Sequence, residues 1–202
     1  MEYFGEHLLP GKLGHFFILL SFIASLAASI TYFLSVHRVA PDEKLQWKRL
    51  ARMFFITEAA SVFIIFGIIY YIVSNHLFEY KYAWQHSSTT LEPKYLLAAI
   101  WEGQEGSFLL WSIWHCVLGL ILIAKAKEWE APVMTVVSLV QFFLATMVVG
   151  ISVFGWKIGS NPFVLLRNEV AAPIFSRPDY LSMVKDGNDL NPLLQNYWMV
   201  IH

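Results

Sequence analysis

The sequence predicts an all-α, polytopic membrane helix bundle, with four transmembrane helices and an outer tail of short helices. Three observations point there. The 202 residues are 57% hydrophobic and only 14% charged, whereas a soluble domain carries about a quarter charged residues. Four segments, 16–36, 53–73, 108–124 and 133–154, supply the run of about 20 apolar residues that crosses about 30 Å of hydrocarbon. Basic residues gather in alternate connections, the asymmetry that orients membrane helices.

The first span follows a start that carries only Lys12, and its apolar core is too long for a secretory signal. Arg38, Lys44, Lys48, Arg49 and Arg52 come after it, and Lys125 and Lys127 come after span three. An even number of crossings puts both groups on one side, predicted to be cytoplasmic. The N-terminus, the loop 74–107 and the segment 155–202 then face outward, toward the periplasm of a bacterium with two membranes. The expected division is a four-helix membrane region over 1–154 and an outer-face segment over 155–202.

Small and weakly polar residues line two spans at helical spacing: Ser21, Ala24, Ser25, Ala28 and Ser29 in the first, and Ser138, Gln141, Ala145 and Ser152 in the fourth. Such stripes let helices approach closely and bond across the contact. Two ionisable groups stand out. Glu58 lies in span two, and two readings stand for it: pairing with Arg52 or snorkelling on one side, a functional group on the other. His115 lies in span three on one face with Glu105, Phe108, Ser112 and Gly119. It is either bonded to a neighbouring helix or a proton relay or haem ligand.

Composition also excludes. The net charge of −1 gives no concentrated basic field for nucleic acid. The single cysteine, Cys116, rules out an internal disulfide, Cys-x-x-Cys redox chemistry and a Cys-x-x-Cys-His haem attachment motif within the chain.

The approach to span three is the most unusual stretch: Trp101-Glu102-Gly103-Gln104-Glu105-Gly106-Ser107, then Trp111 and Trp114. Pro93 opens a helix there. Unbroken to Ala124, that helix would be about 45 Å long, so its first part protrudes, lies along the surface, or breaks at Gly103 or Gly106. Glu102 and Glu105, three apart, would share one helical face. Either the stretch is an interfacial aromatic belt with acids at a helix start, or it docks a flat apolar ligand or a partner.

In the tail, Asn161-Pro162 and Asn191-Pro192 read as N-caps followed by proline, with Asp186-Gly187-Asn188-Asp189 as a turn between them. The run Tyr197-Trp198-Met199-Val200-Ile201-His202 is expected to lead into a further membrane span.

Four of these segments, Tyr82-Ala-Trp84-Gln-His86-Ser87-Ser88, Trp101–Ser107 with Phe-Leu-Leu-Trp111, Ser160-Asn161-Pro162-Phe163, and Asp189-Leu-Asn191-Pro192-Leu-Leu-Gln195 through His202, together resemble the N-terminal part of the CcmF family. These are haem lyase subunits of bacterial cytochrome c maturation. The resemblance implies an inner-membrane protein that takes b-type haem in transit from a membrane-tethered haem chaperone. It would hold that haem at the outer face for attachment to the Cys-x-x-Cys-His motif of apocytochrome c, alongside other maturation subunits. It implies that His202 ligates haem iron, imidazole being a good axial ligand, with no other metal site. It places residues 101–107 and Trp111 at a haem- or partner-docking surface. His86, in the outer-loop motif, reads as a loop histidine on the same side. The family's tryptophan-rich haem segment and second outer histidine have no counterpart here, so enzymatic haem attachment is not expected of this chain alone. Two other functions fit the residues: a non-catalytic scaffold that docks partner subunits, and a quinone- or proton-linked subunit working through Glu58 and His115.

Overall fold

The structure, a computed structural model, describes residues 3–196 and 198. His202, and with it the run 197–202 apart from Trp198, lies outside the described residues. Four helices are long and apolar enough to cross a membrane: α1 (Leu8–His37), α2 (Pro41–Ser74), α5 (Gln104–Lys125) and α6 (Glu130–Val149). The protein is a multi-pass membrane protein. Between and after them come α3 (Lys81–His86), α4 (Leu96–Glu102), a hairpin of β1 (Ile151–Val153) and β2 (Trp156–Ile158), and α7 (Leu166–Glu169). The chain divides into two compact units, 16–65 with 108–160, and 1–15 with 66–107 and 161–202.

The first, helical unit is built from α1, α2, α5 and α6. Pro10 sits in the first turn of α1, where its missing N–H costs nothing. Pro41 opens α2 at the first helical position, with Asp42 and Glu43 behind it at the positive end of the helix dipole. The connection after α1 is therefore short, and Lys44, Lys48, Arg49 and Arg52 ride on the first turns of α2 rather than in a loop. The core packs Ala28 and Tyr32 of α1, Ala51 and Phe55 of α2, and Ala131 and Met134 of α6. Gly119 of α5 is bare because the Phe55 ring occupies the space a Cβ would need. The Ser29 hydroxyl donates to the Thr135 carbonyl at 3.1 Å, a bond across the contact of α1 with α6 of the kind small-residue stripes permit.

The helical reading of 133–154 overshoots. Gly150 takes the left-handed conformation (φ 71) and ends α6 at Val149. Ile151 then pairs with Ile158 and Val153 with Trp156. Phe154 and Gly155, at φ 50 and 83, make the two-residue turn that matches strand twist.

The second unit gathers the N-terminal residues, the loop and the tail. Tyr80 and Leu165 form an antiparallel bridge, extended by Lys81 N–H to the Val164 carbonyl (3.0 Å) and Leu166 N–H to the Glu79 carbonyl (2.7 Å). Leu166, Phe175 and Tyr180 form its apolar core, with Tyr3 and Trp84 packed against it.

Candidate functional site

Short helices leave terminal backbone groups unpaired, and that need organises the tryptophan-rich stretch. Three residues of α4, Ala98, Ala99 and Ile100, are buried. The chain turns extended at Gly103 (ψ 161) and resumes as α5 at Gln104. The break leaves the last carbonyls of α4 without helical partners. The Tyr82 hydroxyl donates to the Ile100 carbonyl, and the Ser107 hydroxyl to the Trp101 carbonyl at 2.8 Å. Burial pushes the Tyr82 phenol far above its usual range, so it remains a donor. A Cβ at Gly103 would meet the Tyr82 ring and His86 Nε2, and one at Gly106 would strike the Ile100 carbonyl and the Tyr82 hydroxyl. Both glycines are therefore required by close approach.

The break also separates the two acids expected on one face. Glu102 ends α4 while Glu105 lies in α5. Glu102 accepts from His86 Nδ1 at 2.8 Å and, through its other oxygen, from the Asn191 N–H at 3.0 Å. The His86 ring leans on Tyr82, centroids 4.6 Å apart.

The tail is fastened along this same segment. Asn188 N–H donates to the Trp84 carbonyl (2.7 Å) and Asp189 N–H to the Ser87 carbonyl (3.1 Å). Gly187 lies so close to these two carbonyls that a side chain would collide with them. Asp186 accepts from both the backbone N–H and the hydroxyl of Thr89, each at 2.8 Å. Those bonds, with one from the Gly187 N–H, hold its carboxyl below the usual carboxylate range. Asn191 caps the turn Pro192–Leu194 by accepting from Leu193 N–H. Asn161 instead closes a tight turn: its oxygen takes the Phe163 N–H at 2.9 Å, which aims its amide nitrogen at His15 Nδ1, 2.8 Å away. No helix follows it directly.

Two buried acids pin the N-terminus to this unit. Glu6 accepts from Arg167 Nε and the Tyr180 hydroxyl, both at 2.7 Å. Glu79 accepts from the His7 N–H and His7 Nδ1 at 2.9 and 3.1 Å. The Tyr80 hydroxyl donates to the His7 carbonyl and accepts from the Gly11 N–H; burial raises its pKa to about 12. Two open cavities result. One of about 480 Å³ is walled by Trp84, Phe175 and Met183, and one of about 530 Å³ by Lys12, His15, Phe163 and Arg167.

Of the residues singled out in the sequence, the structure joins Glu102, Gly103 and Gly106 to Tyr82 and His86, while Ser107 bonds the Trp101 carbonyl. Trp101 and Glu105 are half-buried, and Gln104 is exposed. Trp111 and Trp114 are 58% and 60% exposed. In the helical unit Glu58 does not pair with Arg52. Arg52 makes a two-pronged bond to Glu130 at 2.6 Å, supported by Lys48 at 3.6 Å. Glu58 bonds Gln141 Nε2 at 2.7 Å and faces Cys116. His115 is half-buried and makes no hydrogen bond to a described residue. Sequence reasoning missed Glu130, Glu6, Glu79 and Tyr80. For Glu130 a signal existed, an acid at the start of α6 opposite a basic cluster.

Sequence comparison gives this arrangement its setting. A CcmF protein of Haemophilus influenzae, named for cytochrome c-type biogenesis, is 27% identical over 188 residues, 90% of this chain and 26% of the relative. The chain is related to the cytochrome c-type biogenesis proteins. CycK of Rhizobium meliloti is 26% identical over 191 residues (95% of this chain, 25% of the relative). The probable NrfE of Escherichia coli is 28% identical over 166 residues (79% and 26%). The chain thus spans about a quarter of the length of these curated relatives. No family model matches it, and no solved structure does.

Proposed function

We propose that this chain is the N-terminal portion of a CcmF-type membrane protein that holds haem at the outer face for attachment to apocytochrome c. The observation that carries the reading is the relatedness to cytochrome c-type biogenesis proteins over 90% of the chain. The tail gives it a physical form. Residues 186–191, on the path to His202, are fixed by backbone hydrogen bonds to the segment Tyr82–Thr89 and to Glu102. The tail is thereby fixed as far as Asn191.

Haem, when bound, supplies the iron and the vinyl groups that thioether attachment uses. Among the described histidines, His7 and His86 each have an Nδ1 held by a carboxylate, as oriented metal ligands do; of the two, His86 lies in the segment that fastens the tail. Its Nε2 is packed against Gly103, however, so His86 serves as a strut for Glu102 and the tail. The resemblance to the CcmF family assigns the axial role to His202. The exposed Gln104 and Trp111 are where a haem chaperone or another maturation subunit would dock. The basic turns of α2 and the connection before α6 face the cytoplasm: the Arg52–Glu130 pair ties the start of α2 to the start of α6, as the even count of crossings requires. The N-terminus and tail then face the periplasm, from the inner membrane.

The test is genetic complementation. In a host lacking this gene, the full-length protein restores covalently haem-bearing c-type cytochromes, measured by haem staining. Failure to restore them, with apocytochrome present and the protein in the membrane, contradicts the reading.

A further inference from the structure

Glu58 is 1% exposed, on a helix that crosses the membrane. Its neighbours are Gln141 of α6, whose Nε2 is 2.7 Å from Oε1, and the Cys116 thiol of α5 at 3.6 Å. Among the described residues it makes no ion pair, and Cys116 is the only titratable group that reaches it. Gln141 and Ser112 are neutral, and Arg52, on the same helix, is committed to Glu130. An isolated ionised carboxylate in such surroundings costs far more than the group gains by remaining charged, so it takes up a proton.

The bonding around it is unbalanced in a telling way. Gln141 Nε2 has two hydrogens but three acceptors in reach: Glu58 Oε1, the Ser112 carbonyl at 3.1 Å and Cys116 Sγ at 3.0 Å. Two oxygens of the same pair, Glu58 Oε2 and Gln141 Oε1, are buried and have no partner. A polar network whose only role is structural has its members satisfied. Here Glu58 Oε2 and Gln141 Oε1 are the open positions of the network. Counted along the helices, Gln141 and Ser112 lie about 12 Å from the α6 and α5 ends that adjoin the hairpin and Gly103.

We propose that Glu58 is an exchangeable proton site inside the membrane, with Gln141 orienting its carboxyl group. The step is a proton transfer alone. The Glu58 O–H breaks, the electron pair stays on the carboxylate, and the proton passes to water. The return step restores the acid.

Two measurements test it, both on the full-length protein in membranes. The infrared spectrum of the wild type is expected to show a carboxylic-acid carbonyl band that shifts on transfer to deuterated water and is missing from Glu58→Gln. Glu58→Gln keeps the shape and a donor at the Oε2 position but has no proton to release. It is expected to accumulate normally while maturing c-type cytochromes about 100-fold less well, the order of effect of losing a proton-transfer group. Wild-type maturation by Glu58→Gln would overturn the proposal and leave a structural acid, as would a wild-type band that is absent or does not exchange. If Glu58→Gln fails to accumulate, Glu58→Asp decides: a band that keeps its wild-type position in that variant belongs to another acid and overturns the proposal. The maturation arm rests on the proposed function, and the infrared arm does not. A wild type that supports no maturation but shows the exchanging band rejects the proposed function and retains the proton site.

Discussion

The two units are held together by different chemistry. The loop-and-tail unit is fastened by hydrogen bonds between residues far apart in sequence: Glu6 to Arg167 and Tyr180, Glu79 to His7, Glu102 to Asn191, Asp186 to Thr89. The helical unit uses few such bonds. Its backbone is satisfied within helices, as hydrocarbon demands, and its hydroxyls mostly bond back to their own helix, as Ser61 does to Thr57 and Thr135 to Ala131. Its polar cross-links are few: Arg52 with Glu130, Ser29 with Thr135, and the Glu58–Gln141 group. Large apolar side chains such as Ile23, Phe63 and Phe143 are exposed because lipid, not water, is their solvent. In the loop-and-tail unit, position is set by specific bonds. In the helical unit, it is set by shape.

If that contrast is right, substitutions should differ in kind. The largest effect is expected from Gly106→Ala, which drives a methyl into the Ile100 carbonyl and the Tyr82 hydroxyl. It should cost about 3 kcal/mol and lower the thermal unfolding midpoint of the purified protein sharply. Next is Arg52→Ala. It leaves the buried Glu130 carboxylate with Lys48 alone and should cost about 2 kcal/mol, less than a fully buried pair because Arg52 is partly exposed. Glu6→Gln replaces an ion pair and a charged acceptor for Tyr180 with neutral bonds and should cost about 1 kcal/mol. It should also loosen the N-terminus, seen as faster amide exchange near Tyr3. The smallest effect is pH-dependent. Hydrogen bonds from Thr89 lower the Asp186 pKa. A folded value below the unfolded one stabilises above the unfolded pKa of about 3.9 and is lost as pH falls through the folded value. Amide protection at Thr89 should therefore be level between about pH 5 and 8 and decline only below about pH 4.

How much of this was legible in the sequence follows the same division. The four helices were, because hydropathy over about 20 residues reports burial in lipid directly. Before α5, length alone left protrusion, a surface course or a break at Gly103 or Gly106 open, and the structure breaks at Gly103, where bonds from Tyr82 and Ser107 take up the freed carbonyls. The hairpin at Ile151–Ile158 was not foreseen, since the apolar run continues into it. Phe154-Gly155 was its one local signal. The pairings of the loop-and-tail unit were hidden for a simpler reason. Glu6 and Arg167 lie far apart in the chain, and nothing near either names its partner. Nor was Glu130 weighed against the basic cluster, so pairing with Arg52 stayed open as one reading of Glu58.

The central claim is that the anchored tail presents a haem ligand at the outer face, and the absorbance of the purified full-length protein tests it most directly. His202→Ala is expected to lose the outer-face haem band and the maturation of c-type cytochromes while reaching wild-type levels in the membrane. A His202→Ala protein that keeps its full haem band and still matures cytochrome c would contradict the account.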